Sequence, residues 1–257
     1  MALLSEIFSD LFARQDNVLA RVDPRTKLIV ALAVLAAVIF SPTPAIPLAV
    51  FILCVASTVA MGVPPRLVAL RLTAPLGIAS VLMVLQSVFT GSTTMWRLLG
   101  IVVTREGFHT GLVMSSRVVG GMSVMLLLSS VTPAHKIFLA LRAMGLSKSW
   151  VEIAMLMYRY IFVLLDLTAD VTDAQRVRLG YSGVRRGLSS AGVVAGVVVL
   201  RAVDQAVRTN EAMRARGYKG DIPMGALPPL QRRDGWIIAC AAICLGSFLL
   251  AVEVMSR

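Results

Sequence analysis

Apolar runs separated by short polar breaks dominate the first half of the chain, over residues 28–40, 46–61, 74–90 and 110–131, and one more lies at 236–255. A helix that crosses a bilayer needs roughly 20 mostly apolar residues. The pattern therefore predicts an all-α polytopic membrane protein with about five transmembrane helices. The first two runs are short, and Ser41-Pro42-Thr43-Pro44 stands between them. Prolines disrupt helix interiors, so two short or tilted helices joined by a tight turn fit better than one long span. The expected divisions are an amphipathic segment at 1–26, four spans within 27–131, a polar-patterned region at 132–235 and a final span at 236–257.

The 132–235 region is too long for a connector and too regularly patterned for disorder. Residues 132–146 read as a short amphipathic helix closed by Gly145. A longer helix begins at "SKSWVE", where Ser149 caps it and Glu152 stands three residues on, as in a capping box. Its first half is apolar all round and its second half is charged. A further helix is expected over 193–216. There Arg201, Asp204, Arg208 and Glu211 form a polar stripe, and Val199, Val203, Val207 and Met213 lie opposite. Gly217 ends it, as a C-terminal glycine commonly does. Together these form a platform of amphipathic helices ahead of the last span.

Composition agrees with this reading. The 257 residues are 57% hydrophobic with a mean hydropathy of +0.81, and only 15% are charged, against roughly 25% in soluble domains. The net charge of +11 does not indicate nucleic acid, because the cations sit between apolar segments rather than among aromatic residues. Of the lysines and arginines, 21 fall on the side holding the N-terminus and 132–235, and 3 on the other, which places the N-terminus in the cytoplasm. Nothing at the start reads as a cleavable leader. Cys54, Cys240 and Cys244 lie in apolar stretches and give no disulfide framework.

One pattern recurs. Ala174, Arg176, Arg178, Gly180 and Tyr181 match Ala212, Arg214, Arg216, Gly217 and Tyr218. A lone cation in a last helical turn merely complements the helix dipole. Two helices with the same ending look instead like a paired docking device, since the planar guanidinium fork binds carboxylates in bidentate fashion. Two equivalent arginines imply two equivalent acidic pockets, most simply a partner dimer. In "VDPRTKL", Asp23 caps a helix with Pro24 at its first position, and Arg25 and Lys27 sit at the interface. Arg117 lies inside a span beside Ser115, Ser116, Gly120 and Gly121. It either contacts a moving partner subunit or snorkels and pairs internally. His109 and His135 lack the clustered ligands of a metal site, so no metal ligand is assigned. Asp166, Asp170 and Asp173 read as a solvated helix face, with Mg²⁺ binding and a lipid-modifying enzyme as the alternative. No Gly-x-x-x-x-Gly-Lys-Ser/Thr loop occurs, so any ATP use belongs to partners.

"VDPRTKL", "AQRVRLG" and "EAMRARG" together resemble the T component of energy-coupling factor (ECF) transporters, in its CbiQ-type, cobalt-transporting branch. The resemblance covers the whole chain. It implies a non-catalytic coupling subunit in the bacterial cytoplasmic (inner) membrane. It would link a pair of CbiO-like ABC-type ATPases, which hold the ATP and Mg²⁺, to a CbiM-like substrate subunit and a small CbiN-like one. No cofactor belongs to this chain, and nickel or a vitamin remains an alternative cargo. So does a conventional import permease, whose Glu-Ala-Ala…Gly loop Glu211-Ala212…Gly217 echoes. The family's two Ala-Arg-Gly motifs dock the ATPases. The second maps onto Ala215, Arg216 and Gly217. The first departs from the pattern as Val177-Arg178-Leu179-Gly180, with Arg178 or Arg176 as the docking residue.

Overall fold

The computed structural model describes residues 22–90, 94–98 and 101–220, together with Gly235 and Gly246. The segment 1–21 and the final span at 236–255, with Cys240 and Cys244, lie outside them apart from Gly246. The described elements are α1 (Pro24–Phe40), α2 (Ala45–Ala60), α3 (Pro65–Phe89), β1 (Thr94–Leu98), β2 (Ile101–Thr104), α4 (Arg105–Val131), α5 (Ala134–Ala143), α6 (Lys148–Val177) and α7 (Val184–Ala215). They form two compact units, and the division falls within α5, between Ala140 and Leu141.

In the first unit, α4 is the central helix and packs on α1, α2 and α3. Small residues make this close approach available. A Cβ on Gly107 would collide with the carbonyls of Thr90 and Gln86, and one on Gly111 would lie 3.1 Å from the Met83 carbonyl. These two glycines, four apart, seat α4 on α3. Gly120 does the same for α2, where a Cβ would come within 2.8 Å of the Pro47 carbonyl. Gly121 is looser, with Leu35 Cδ1 at 3.7 Å. Of the two glycines expected beside Arg117, one is therefore committed to an internal contact.

The burial pattern is that of a protein solvated by lipid. Phe40 and Phe89 are each 81% exposed, while Thr26, Ser41, Thr58, Ser116, Ser123 and Ser130 are buried. The hydroxyls of Thr58, Ser116, Ser123 and Ser130 satisfy themselves on carbonyls one turn back, as in Thr58 Oγ1 to the Cys54 carbonyl at 2.9 Å and Ser123 Oγ to the Gly120 carbonyl at 2.6 Å, while Ser41 Oγ donates to the Thr43 carbonyl at 2.7 Å. Without a hydrophobic drive between helices in lipid, small and polar residues fill the contacts. A small apolar cluster of Val63, Val68 and Leu72, flanked by Phe51, Val55 and Leu126, closes the end where α2 turns into α3.

Helix lengths differ from the apolar runs. α3 begins at Pro65 rather than near residue 74, and it passes through Pro75. Arg66 and Arg71, expected in a loop, stand in its first two turns. The apolar run marks where the membrane begins, while the helix begins where Pro64 and Pro65 allow it to start. α4 likewise begins at Arg105, five residues before its apolar run. At 1.5 Å per residue α3 and α4 reach about 38 and 40 Å, whereas α1 and α2 reach about 26 and 24 Å. The polar break after residue 90 is not plain loop. It holds an antiparallel hairpin in which Trp96 pairs with Val103 and Leu98 with Ile101, with an irregularity between Thr94 and Trp96. Thr104 ties the hairpin to α3 by donating to the Ser87 carbonyl at 3.3 Å.

The second unit is built on α6 and α7. α6 is capped at Ser147, not Ser149, without a side-chain cap bond. Glu152 does not close a capping box; it is buried, 3.9 Å from Lys148 one turn before it. α7 starts at Val184, nine residues earlier than expected. It is long and apolar enough to cross a membrane by length and composition. Its charge-free stretch, 187–200, however, covers only about 21 Å of the roughly 30 Å hydrocarbon core.

Candidate partner-docking site

The two arginine motifs end α6 and α7 in the same way. Arg178 is the C-cap of α6 at φ −81°, ψ 13°, and Arg216 is the C-cap of α7 at φ −89°, ψ 11°. The hydrogen bonds that follow also correspond. Leu179 N donates to the Arg176 carbonyl at 3.0 Å and Gly180 N to the Gln175 carbonyl at 2.9 Å. In the second motif Gly217 N donates to the Arg214 carbonyl at 3.0 Å and Tyr218 N to the Met213 carbonyl at 3.0 Å. Both are Schellman closures. Arg178 thus occupies the backbone position of Arg216, and Arg176 that of Arg214. Arg176 is further engaged by Asp173 at 3.3 Å, whereas Arg178 and Arg216 are both exposed at the rod ends. Val177 stands where the second motif has Ala215.

The inserted leucine now has a physical meaning. The left-handed position of the closure is Gly217 at φ +80° in the second motif and Leu179 at φ +56° in the first. Glycine adopts this conformation freely, while a side chain costs about 1–2 kcal/mol there. Gly180 is glycine for another reason. A Cβ there would collide with Ser190 Oγ, and Ser190 donates to the Gly180 carbonyl at 3.0 Å. The first glycine is required by packing of the turn on α7, the second by φ. Substitutions at the shared left-handed position should therefore act in opposite senses. Leu179→Gly is expected to raise thermal stability by about 1 kcal/mol and Gly217→Ala to lower it by a similar amount, both read by thermal unfolding in detergent.

α6 and α7 cross at a polar contact, Tyr160 Oη to Thr209 Oγ1 at 2.7 Å. A cleft beside it is lined by Arg159, Tyr160, Arg208, Arg216 and Tyr218. The Arg159 guanidinium lies 5.9 Å from the Tyr160 ring centroid. Val199, Val203 and Val207 do not face α6; they are exposed, as are Trp150, Ile153, Met157, Ile161 and Leu165 at helical spacing along α6. Among the described residues no three of His, Cys, Asp or Glu are grouped to hold a metal.

The remaining sequence candidates lie in the first unit. Asp23 accepts from Arg25 N at 2.8 Å with Pro24 at the first helical position, as read from the motif. Lys27 is half-buried and feels the charges of Lys136 and Asp23. Arg117 donates from Nη2 to the Ser41 carbonyl at 2.7 Å. It thereby supports the end of α1, where the short α1–α2 turn meets the middle of α4. Irregular backbone at membrane depth is tolerated when protein covers it, and Ser41 is fully buried. Sequence spacing could not pair residues 76 apart. Replacing Arg117 with leucine should cost about 1.5–3 kcal/mol, the worth of a charged hydrogen bond, measured as a lower unfolding temperature of the purified chain.

These features define a polytopic helical membrane protein whose second unit presents two matched arginine ends. The family model for cobalt transport protein CbiQ matches residues 15–225. An uncharacterized protein of Methanocaldococcus jannaschii is 30% identical over 213 residues, 81% of this chain and 80% of that one. Cobalt transport protein CbiQ of Rhodobacter capsulatus is 37% identical over 95 residues, 37% of this chain and 39% of that protein. A putative fused cobalt transport protein CbiMQ of Methanocorpusculum labreanum is 26% identical over 241 residues, 91% of this chain and 39% of that one. The chain belongs to the CbiQ cobalt transport protein family and is a membrane component of that transport class.

Proposed function

We propose that this chain is the coupling subunit of an ECF-type importer, joining ATP hydrolysis by two ABC-type ATPases to reorientation of a CbiM-like subunit that carries Co²⁺. The observation that carries the reading is the equivalence of the Arg178 and Arg216 helix ends. Two copies of one cationic hook in a single chain suit two copies of one acidic socket, and an ATPase dimer offers such a pair. A conventional permease needs a single coupling loop per chain.

The mechanism follows from stiffness. Nucleotide-driven closure of the ATPases shifts the two rod ends relative to each other. α6 and α7 cross at the Tyr160–Thr209 contact, so displacement at the ends turns one rod against the other there. The exposed apolar rows on α6 and α7 then present a changed surface to the substrate subunit. The fused CbiMQ relative favours a CbiM-like subunit as that neighbour. Coupling of this kind needs an element whose equilibrium both sites bias, and the crossed pair supplies it. In this reading the N-terminus and the second unit lie on the cytoplasmic side of the inner membrane, which the excess of lysine and arginine in those segments supports, and Mg²⁺-ATP stays on the partners.

Reconstitution of the chain in vesicles with a CbiM-like subunit, its small companion and the ATPase dimer tests this. ATP-dependent accumulation of cobalt is expected, and none without this chain. Equal uptake in its absence would refute the coupling role, and accumulation of nickel alone would reassign the cargo. Tyr160→Phe is expected to leave assembly intact and to lower uptake relative to ATP hydrolysis, read by comparing the two rates.

A further inference from the structure

The two hooks share a backbone and differ in surroundings. On the knuckle that follows α6, Val177 is 84% exposed, Leu179 69%, Val184 94% and Leu188 78%. The knuckle is compact. Ser182 N donates to the Leu179 carbonyl at 3.2 Å, Gly187 N to the Gly183 carbonyl at 2.7 Å, and the start of α7 is held to the turn through Ser190 and Gly180. These four side chains therefore share one rigid tip with Arg178. The tip of α7 is different. None of the large apolar residues exposed among the described residues lies beyond Val207, and Arg216 is flanked by Arg214 and Lys219.

We propose that the Arg178 hook docks one ATPase through an apolar collar formed by Val177, Leu179, Val184 and Leu188, while the Arg216 hook docks the other by charge. The inference rests on the coupling-subunit reading and adds to it that the two contacts are chemically unequal. An arginine anchor gains most when surrounding apolar groups exclude water from its ion pair. A strained leucine is retained at position 179, where glycine would be easier, and its side chain projects apolar surface beside the anchor. The collar is continuous with the hook, which identifies the ATPase as the occupant.

The test measures binding of the source organism's cobalt-transporter ATPase dimer to the full chain in nanodiscs, at low and high salt. The probe variant is the triple Leu179→Gly, Val184→Ser, Leu188→Ser; all three side chains are exposed, and the glycine suits the left-handed backbone. It should bind about tenfold or more weakly, and the deficit should persist at high salt. Arg216→Ala should weaken binding mainly at low salt, because exposed charge pairs are screened. Binding of the triple variant at the wild-type level would overturn the collar. A fluorophore on Val184→Cys, with the three native cysteines replaced, should shift to the blue only on adding the ATPase. A blue-shifted signal before addition would assign the collar to lipid and also overturn it. If Arg178→Ala and Arg216→Ala both bind as wild type, the docking reading itself fails, an outcome separate from loss of the collar alone.

Discussion

The double variant Arg178→Ala, Arg216→Ala should fail to assemble with the ATPase dimer and should support no ATP-driven cobalt uptake. Removing one member of a buried, hydrogen-bonded charge pair, as at the Arg178 contact, costs about 2–5 kcal/mol, or roughly 30-fold to several thousandfold in affinity. Losing the exposed, salt-screened Arg216 contact as well removes the second anchor of the complex. The single variants should each retain partial assembly. Arg176→Ala is the internal control. It occupies the position of Arg214, is engaged by Asp173, and should leave assembly within a few-fold of wild type. Co-purification on a tagged ATPase reads all four. Normal assembly and uptake by the double variant would end the docking proposal, and a loss with Arg176→Ala equal to that with Arg178→Ala would contradict the structural alignment of the hooks. Because both C-cap arginines are exposed in the chain alone, the variants should unfold at the wild-type temperature. A binding defect can then be separated from misfolding.

Valine at Gly107 or Gly120 should destabilise the first unit by about 1–3 kcal/mol or more, the usual penalty of overpacking. The obstacles are backbone carbonyls of α3 at Gly107 and of α2 at Gly120. Backbone cannot rotate aside as a long side chain can, so the helices themselves must part. The same change at Gly121 faces only Leu35 Cδ1 at 3.7 Å, and alanine at Gly77 meets nothing within 4 Å. Both should be tolerated. Thermal unfolding in detergent, followed by loss of monodisperse protein, gives the ordering. Tolerance of Gly107→Val and Gly120→Val equal to that of Gly121→Val would mean that α4 does not make these close contacts.

Sequence by itself determined the class of the protein. Long apolar runs have one stable solution in a bilayer, the helix, because every backbone polar group must be satisfied within the segment. The Asp23-Pro24 start of α1 was readable because it is local, since the capping carboxylate and the backbone N–H that donates to it lie two residues apart. The glycine-closed ends at Gly145 and Gly217 were readable too, and both glycines have positive φ. The cationic helix ends were visible because they are local and repeated.

Tertiary structure decided what depends on neighbours distant in the chain. The helix-closing hydrogen bonds, local but not legible in the letters around them, separated Arg178 from Arg176. Tertiary contact gave Gly180 a packing role against Ser190 and left the strained position to Leu179. It tied Arg117 to Ser41, a partner no periodicity could nominate. It also divided the glycines of α4 between α3 and α2, and left the valine row of α7 uncovered where amphipathic spacing alone implied a buried face. Local patterns fix which segments are helical and how they end. Which faces meet is set by contacts between segments, and in lipid those contacts run through small and polar residues that carry no hydrophobic signature.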